Sequence, residues 1–129
     1  MIAQSFLLSA DNAHAVHPNA ADKSDPVNRP VMNGGIVLKH NANQRYTTDG
    51  LSAAFLRKLC HENDIPVQEF TNRSDMPGGS TLGNISITKV PVSSADIGLA
   101  QLAMHSSCET AGAEDLGHLV RLSEAFYCG

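Results

Sequence analysis

The feature that most constrains the fold is a short apolar run that stops at a cluster of polar side chains. Phe6-Leu7-Leu8 lies within residues 4–10, which are typical of a buried strand because apolar residues are bounded by polar ones. Asp11, His14 and His17 follow directly. Polar ligands are commonly mounted at the carboxyl ends of core strands. The pattern therefore predicts a site there, for a metal ion or for acid–base chemistry.

Strand-like and helix-like segments alternate along the rest of the chain. Further strands are predicted at 36–38, 67–70 and 90–97. Helices are predicted after a cap at Thr48 or Asp49, after the 76–81 loop and from Glu114. This alternation predicts an α/β layered fold. Four short strands make a thin sheet for one domain, and the chain starts inside a strand, so we expect a segment of a larger catalytic domain.

The two longer helices are expected to turn apolar faces toward the sheet. Helical spacing in the first, which ends before Pro66, predicts the inward positions Leu51, Ala54, Phe55 and Leu59. In the last helix the same spacing predicts Leu116, Leu119, Val120 and Ser123, with Tyr127 one turn further on. Residues 17–34 hold three prolines without apolar periodicity, so a long loop is predicted that serves a function or an assembly interface.

Composition narrows the class of protein. A chain of 129 residues suffices for one domain, and a net charge of −4 without a block of like charge argues against nucleic acid or an anionic membrane as partner. No apolar run is long enough to span a bilayer, and residues 1–4 lack the basic region of a signal peptide. The odd set Cys60, Cys108 and Cys128 is typical of free thiols in a reducing compartment.

The acidic and histidine residues after the first strand allow more than one role. Asp11 is a candidate metal ligand, and it also fits a strand-end residue that caps a turn. Pro18 disfavours a continuing helix, so His14 and His17 are not expected to face one metal. His14 suits contact with a substrate or an oxyanion, whereas His17 is expected to be a buried, hydrogen-bonded structural residue.

Three further candidates lie downstream. His105 fits a core histidine or a metal ligand, and we expect it to meet Asp11 in space. Lys39 follows an apolar strand; such a lysine is normally a solvated surface group, but in a pocket it would select an acidic substrate group. Residues 78–83 are glycine-rich and fit either a tight turn or a nest for an anion or a peptide terminus. These residues alone make a metal hydrolase one interpretation among several.

As a set, these stretches resemble the aspartyl aminopeptidase family of zinc metallopeptidases. They occur in the family's order and cover nearly the whole chain. The matching stretches are Ser9–Asn19, Lys39 with Asn41–Tyr46, Arg73–Asp75, Gly79–Gly83, and Ala95–Gly98 with Ala103–Ser106. The resemblance implies a cytoplasmic enzyme that uses two zinc ions, or other divalent metals, to release N-terminal Asp or Glu from peptides. It also implies a three-layer α/β/α core and a homo-oligomer, a tetrahedral dodecamer.

The resemblance also implies roles for individual residues. Asp11 and His105 match the side chains that each bind one of the metals. His14 matches a histidine that contacts substrate across a subunit boundary, and Lys39 matches the lysine that pairs with the acidic side chain of the substrate. Gly79, Ser80 and Thr81 match a wall of the substrate pocket.

Only part of the family's machinery has a counterpart here. Residues 1–129 match the C-terminal portion of the catalytic domain, and the upstream histidine, bridging aspartate and glutamate pair are absent, so no catalytic residue is expected in this segment. Two ligands do not complete a catalytic zinc site, and we expect the isolated chain to be inactive. Cys108 stands where the family usually has arginine. The alternatives are a non-catalytic remnant that keeps an assembly surface, with loop 17–34 and His14 at subunit contacts, and another two-metal hydrolase.

Overall fold

The computed structural model describes residues 2–128, which form two small sheets and three α-helices. The strands are β1 Phe6–Ala10, β2 Ala13–His14, β3 Ile36–His40, β4 Val67–Thr71, β5 Ser93–Gly98, β6 Ala100–Leu102 and β7 Thr110–Ala111. The helices are α1 Gly50–Glu62, α2 Leu82–Lys89 and α3 Ala113–Cys128. The predicted alternation of strands and helices is confirmed. None of the helices in this range is both long and apolar enough to cross a membrane.

The main sheet has β3 and β5 at its centre and β1 and β4 at its edges. Its strand order is β1-β5-β3-β4, with β1 parallel to β5, β3 parallel to β4, and β3 antiparallel to β5. The second sheet continues from the ends of β1 and β5, because β2 pairs with β6 and β7 follows on the other side. A Cβ at Gly98, between β5 and β6, would lie 2.0 Å from the Asp11 carbonyl oxygen, so this junction requires glycine. The two chain segments therefore run side by side into the site.

The central strand β3 is buried on both faces of the main sheet. One face packs against α1 and α3 through a cluster that includes Ile36, Leu38, Leu56, Ile97 and Leu122. The other face carries a second cluster, formed by Ala13, Ala15, Val37, Tyr46, Phe70 and Ala100. A strand covered on both sides reads as a continuous apolar run, which Ile36–Leu38 does. Its next residue, Lys39, is the exception and lies at the site described below.

Helix α1 begins where predicted, but of its predicted inward positions only Leu59 packs against the core, and the other three are wrong. Asp49 caps the helix in a reciprocal capping box with Ser52. Leu51 is 85% exposed and Phe55 44%, whereas the buried positions are Ser52, Ala53, Leu56 and Cys60. The helix has apolar residues around much of its circumference, so spacing alone fits two faces equally well. The small side chains of Ser52 and Ala53 mark the face that approaches the sheet.

Helix α3 shows a similar correction. Leu119 packs against the core as predicted, but Leu116 and Val120 are 60% and 50% exposed. The fully buried residues are Asp115 and Leu122. Asp115 accepts hydrogen bonds from the backbone N–H groups of Asn33 and Gly35, at 2.7 and 2.8 Å. These bonds set the rotation of the helix about its axis, which the apolar spacing does not reveal.

The loops and shorter strands differ from the sequence expectations in detail. Residues 17–34 are irregular apart from a 3-10 turn at Ala21–Lys23, which confirms the predicted long loop. The fourth predicted strand begins at Ser93 rather than at 90, and α2 extends to Lys89. Strands β2, β6 and β7 were not predicted, because two or three residues carry no detectable period.

All three cysteines are free thiols, as the sequence predicts. Cys60 lies on the buried face of α1, and burial raises the pKa of its thiol to about 11, so it behaves as a packing residue. Cys108 and Cys128 are exposed.

Candidate functional site

One cavity collects the candidate site residues that lie far apart in the sequence. It has a volume of about 170 Å³. Its lining consists of Asp11, Asn12, Ala13, His14, Lys39, Tyr46, Phe70, Gly79, Ser80, Thr81, Met104 and His105. Each residue that the sequence analysis assigned to a metal or a substrate therefore lies on this lining.

The fold brings these residues together at the ends of neighbouring strands. Asp11 follows β1, His14 ends β2 and Lys39 is the fourth residue of β3. Residues 79–81 lead into α2, which contacts both β1 and β5. His105 follows β6, the partner of β2. The site therefore lies where the two sheets meet.

Lys39 is the most buried charged group of the cavity lining. Only 3% of the residue is exposed, although lysine is rarely buried without a partner. Its Nζ lies 3.6 Å from Oδ2 of Asp11 and 5.2 Å from the centre of the Tyr46 ring. Burial lowers the pKa of Lys39, and the carboxylates of Asp11 and Asp96 oppose that effect. The alternative that Lys39 is a solvated surface group is wrong.

His14 lies on the cavity lining with Lys39 and His105. Local burial lowers the pKa of His14, and the charges of His105 and Lys39 lower it further. The neutral imidazole is therefore favoured near neutral pH, and it can donate one hydrogen bond and accept another.

His105 sits in a turn with unusual backbone geometry. Ala103 and His105 both have positive φ, at 56° and 67°, which is costly for residues other than glycine. The His105 N–H donates to Oε1 of Glu109 at 2.5 Å, and Ser106 N–H donates to the Ala103 carbonyl at 3.0 Å. Such strain is commonly retained where a side chain must point in one direction. Here the turn places His105 on the cavity lining, and the residue is exposed.

His17 lies outside this cavity. The residue is exposed, so the expectation of a buried histidine is wrong. Its Nδ1 accepts a hydrogen bond from the Asn19 N–H at 3.1 Å. This bond spans the turn at Pro18. His17 therefore has a structural hydrogen bond, as expected, but at the protein surface.

The donors of this cavity match part of a zinc site. Carboxylate and imidazole are both zinc ligands, and Asp11 and His105 supply one of each. Within residues 2–128, however, no three or more His, Cys, Asp or Glu side chains are grouped so that they could hold a metal ion. A catalytic zinc ion needs three protein ligands and an open position. Asp11 and His105 therefore need ligands from outside these residues to complete a metal site.

Tyr46, Phe70 and Asp96 are parts of the site that reasoning from residue types missed. Tyr46 is buried against Phe70 with ring centres 6.2 Å apart, and burial raises the pKa of its hydroxyl. Asp96 is 0% exposed and lies beneath the cavity. The sequence offered one indication of a role for Tyr46 and Asp96, which is that both fall inside stretches that match the family resemblance.

A second, larger depression of about 690 Å³ adjoins the cavity. Its lining includes His40, Arg45, Arg73 and Gly78, so the 78–79 turn separates the two. The guanidinium of Arg73 pairs with Asp75. The lining of this depression does not include Lys39, the buried lysine of the smaller cavity.

Comparison with known proteins now identifies the class. The family model that matches residues 1–127 is one of zinc metalloproteases. It is described as aminopeptidase I zinc metalloprotease (M18), and the chain belongs to this family. The resemblance to a zinc aminopeptidase family is thereby confirmed.

Curated relatives agree with the family match. The chain is 54% identical over 126 residues to the probable M18 family aminopeptidase 2 of Pseudomonas aeruginosa strain UCBPP-PA14, and 55% identical over 126 residues to that of Stutzerimonas stutzeri. Each alignment covers 98% of this chain and 29% of the relative. The chain therefore spans less than a third of the length of these relatives.

Solved structures share the fold. A chain in the cryo-EM structure of the Ape4 and Nbr1 complex matches with a TM-score of 0.95 and 40% identity, over 98% of this chain and 24% of that one. The S. cerevisiae mApe1 dodecamer matches with a TM-score of 0.86 and 31% identity, over 98% of this chain and 27% of that one. The mixed sheets and helices of this chain are thus the fold of part of an M18 aminopeptidase.

Proposed function

We propose that the complete protein carrying this chain is a zinc-dependent aspartyl aminopeptidase, which releases N-terminal Asp or Glu from peptides. The family assignment supports peptide-bond hydrolysis at an N-terminus. Residues 1–129 would form the C-terminal portion of the catalytic domain; the coverage of less than a third of each relative supports only that the chain corresponds to a part of such a protein.

The observation that carries the acidic specificity is the buried ammonium of Lys39. It lies on the cavity lining, and its 3.6 Å separation from Asp11 leaves hydrogen-bond donors available for another carboxylate. An acidic side chain in the cavity would pair with Lys39, whereas a neutral one would leave the remaining N–H donors of Lys39 desolvated and without an acceptor. That difference favours Asp and Glu over neutral residues.

The remaining roles follow from the cavity lining. Asp11 and His105 would each provide one ligand to a two-zinc site, whose other ligands and general base would come from residues outside this chain. Zinc bound there would polarise the scissile carbonyl and activate a water molecule. His14 would bind substrate, and Gly79, Ser80 and Thr81 would form a wall beside the N-terminal residue.

The proposed setting is a cytoplasmic homo-oligomer. One structural relative is described as a dodecamer, and a similar tetrahedral dodecamer is proposed for the complete protein. Peptides with acidic N-termini would be its substrates, and nucleic acids and membranes are not proposed as partners.

The experiment that tests the function compares Lys39→Met with the unmodified complete protein. The substrates are chromogenic amides of Asp and of Leu, assayed with zinc, cobalt or manganese. We expect the unmodified protein to prefer Asp and the variant to lose at least about tenfold of that preference, since a charge-assisted pair contributes roughly 1.5–3 kcal/mol. Equal use of both substrates by the unmodified protein would instead favour a two-metal hydrolase of other specificity.

The second candidate is a non-catalytic remnant that keeps only an assembly surface. The absence of a complete metal-ligand cluster within residues 2–128 favours it for the chain alone. Calorimetric titration of zinc into the 129-residue chain separates the two candidates. Zinc binding that Asp11→Ala and His105→Ala both abolish supports an enzyme half-site, whereas no binding supports a remnant. In either case we expect no peptidase turnover by this chain alone.

A further inference from the structure

Four buried side chains cross the main sheet at one level beneath the cavity. Ser9 pairs with Asp96 in the parallel register of β1 and β5, and Lys39 pairs with Phe70 in that of β3 and β4. The antiparallel register of β3 and β5, extended by one residue, sets Lys39 opposite Asp96. Residues directly opposite each other project from the same face of a sheet. Asp96, with 0% exposure, is therefore the buried carboxylate next to the buried lysine.

One carboxylate oxygen of Asp96 fixes the segment that carries Tyr46. Oδ2 accepts hydrogen bonds from the N–H and the hydroxyl of Thr47, at 2.6 and 3.0 Å. The Asp96 N–H donates to the Thr48 hydroxyl at 2.9 Å. Tyr46 directly precedes these anchored residues, and its ring lies 5.2 Å from Nζ of Lys39. Asp96 thus fixes the position of the Tyr46 ring relative to Lys39.

The other oxygen of Asp96 faces the start of α2. Oδ1 is buried and has no hydrogen-bond partner among residues 2–128. A Cβ at Gly83 would lie 3.0 Å from this oxygen and 2.9 Å from Oγ of Ser9, so the first turn of α2 packs directly on both groups. Residues 79–81, which line the cavity, lead into that turn. The position of this wall therefore also depends on Asp96.

A buried carboxylate with one unsatisfied oxygen is costly unless a cation compensates it. Lys39 is the cation whose pKa responds to Asp96, which acts to raise it against the effect of burial. Asp11 also faces Lys39, but Asp11 is 57% exposed at its side chain and is assigned to a metal in the proposed function. Asp96 is absent from the cavity lining and acts on Lys39 through its charge rather than by lining the cavity.

We propose that Asp96 is a positioning residue for acidic specificity: it holds Lys39, Tyr46 and the 79–81 wall around the place where the substrate's carboxylate binds. This inference rests on the proposed function. A neutral substrate side chain makes no ion pair with Lys39. The loss of Asp96 should therefore weaken the binding of acidic substrates more than that of neutral ones.

The test compares Asp96→Asn with Asp115→Asn in the complete, metal-loaded protein. Both aspartates are fully buried and accept backbone hydrogen bonds, but Asp115 lies off the cavity lining. For Asp96→Asn we expect KM for the Asp amide to rise about tenfold or more, with kcat and the kcat/KM for the Leu amide changed by about threefold at most. Asp115→Asn should leave the Asp-to-Leu preference within about twofold of the unmodified protein.

Three results would overturn the proposal. The first is an unchanged preference in Asp96→Asn. The second is a lower KM for the Asp amide, because Asp96 would then only compete with the substrate for Lys39. The third is an equal loss of preference in Asp115→Asn, which would indicate general destabilisation.

If Asp96→Asn does not fold, Thr47→Val removes one of the same hydrogen bonds, and an unchanged preference there is decisive against the proposal. If the unmodified protein shows no acidic preference, the proposed function itself fails.

Discussion

Asp96 and Asp115 are both fully buried aspartates, but their carboxylate oxygens differ in hydrogen bonding. Asp115, in the first turn of α3, uses one oxygen for the Asn33 N–H and the other for the Gly35 N–H. Asp96, in the middle of the main sheet, uses one oxygen for Thr47 and leaves the other without a partner among residues 2–128. In Asp115 both oxygens accept a backbone hydrogen bond, whereas Asp96 keeps one unsatisfied oxygen against the first turn of α2, at a register position opposite Lys39.

The difference separates a structural carboxylate from one that belongs to a site. A buried carboxylate whose two oxygens both accept backbone hydrogen bonds stabilises the local fold and needs no further partner. An unsatisfied buried oxygen reduces stability, and such groups are retained where they serve positioning or binding. By this reasoning Asp115 fastens the end of loop 17–34 to α3, and Asp96 supports Lys39.

The largest effect on stability is expected for Asp115→Ala. The substitution leaves the N–H groups of Asn33 and Gly35 without their acceptors, and alanine offers no replacement. At about 1–3 kcal/mol for each of the two unsatisfied groups, the free energy of unfolding should fall by roughly 2–6 kcal/mol. Thermal unfolding of the complete protein measures this loss. A variant as stable as the unmodified protein would show that Asp115 is not the fastening residue, and the comparison with Asp96 would then fail.

Much of the fold could be predicted because local signals agree with it. The apolar run at 36–38, the cap at Asp49 and the acidic start of α3 each predict their element correctly. The inner faces of α1 and α3 could not be predicted. Leu51 and Phe55 compete with Ala53 and Leu56 for the inward position, and apolarity does not discriminate between these pairs.

The site was predictable as a set of residues but not as a set of interactions. The family resemblance selected Asp11, His14, Lys39 and His105, which all line one cavity. Residue type alone favours an exposed lysine, and only the register of β3 with its neighbours shows that Lys39 is buried. The sequence marks Glu114 and Asp115 only as acids suited to a helix N-terminus, and it does not reveal that the partners of Asp115 lie about 80 residues earlier.

A smaller effect is expected where α2 packs on the unsatisfied oxygen of Asp96. Gly83→Ala adds a Cβ 2.9 Å from Oγ of Ser9 and 3.0 Å from Oδ1 of Asp96, so these neighbours must move. Gly117→Ala in α3 is the matched control, since its Cβ meets no atom within 4 Å. The control should gain about 1 kcal/mol from helix propensity, whereas crowding should cancel that gain in Gly83→Ala or exceed it by about 1 kcal/mol.

The two glycine variants are compared by thermal unfolding and by the preference for Asp over Leu amides. We expect Gly83→Ala to lower that preference a few-fold, because Asp96 and the 79–81 wall shift together. Equal stabilisation by both substitutions would mean that the space around Asp96 Oδ1 adjusts freely, and the positioning argument would lose its support at this contact.

The smallest effect is expected for Asp49, an exposed carboxylate that also accepts a backbone N–H. The bond from Ser52 lowers the pKa of Asp49, so the ionised form stabilises the folded state. This contribution is fully present above the pKa of an unfolded aspartate, about 3.9, and is lost as pH falls through the lower folded value. Asp49→Ala should cost about 1 kcal/mol near neutral pH, and the difference from the unmodified protein should shrink below about pH 4.

Asp49→Asn keeps an N-cap acceptor and serves as the control, with a smaller loss that does not depend on pH in this range. Urea unfolding at pH 7 and at pH 3 measures both variants. A loss for Asp49→Ala as large as that for Asp115→Ala would contradict the view that a buried carboxylate contributes more to the free energy of unfolding than an exposed one. We expect the pH-dependent loss only in Asp49→Ala, and a smaller loss of unfolding free energy there than in Asp115→Ala. Asp96 differs from both because its substitution is expected to change substrate specificity.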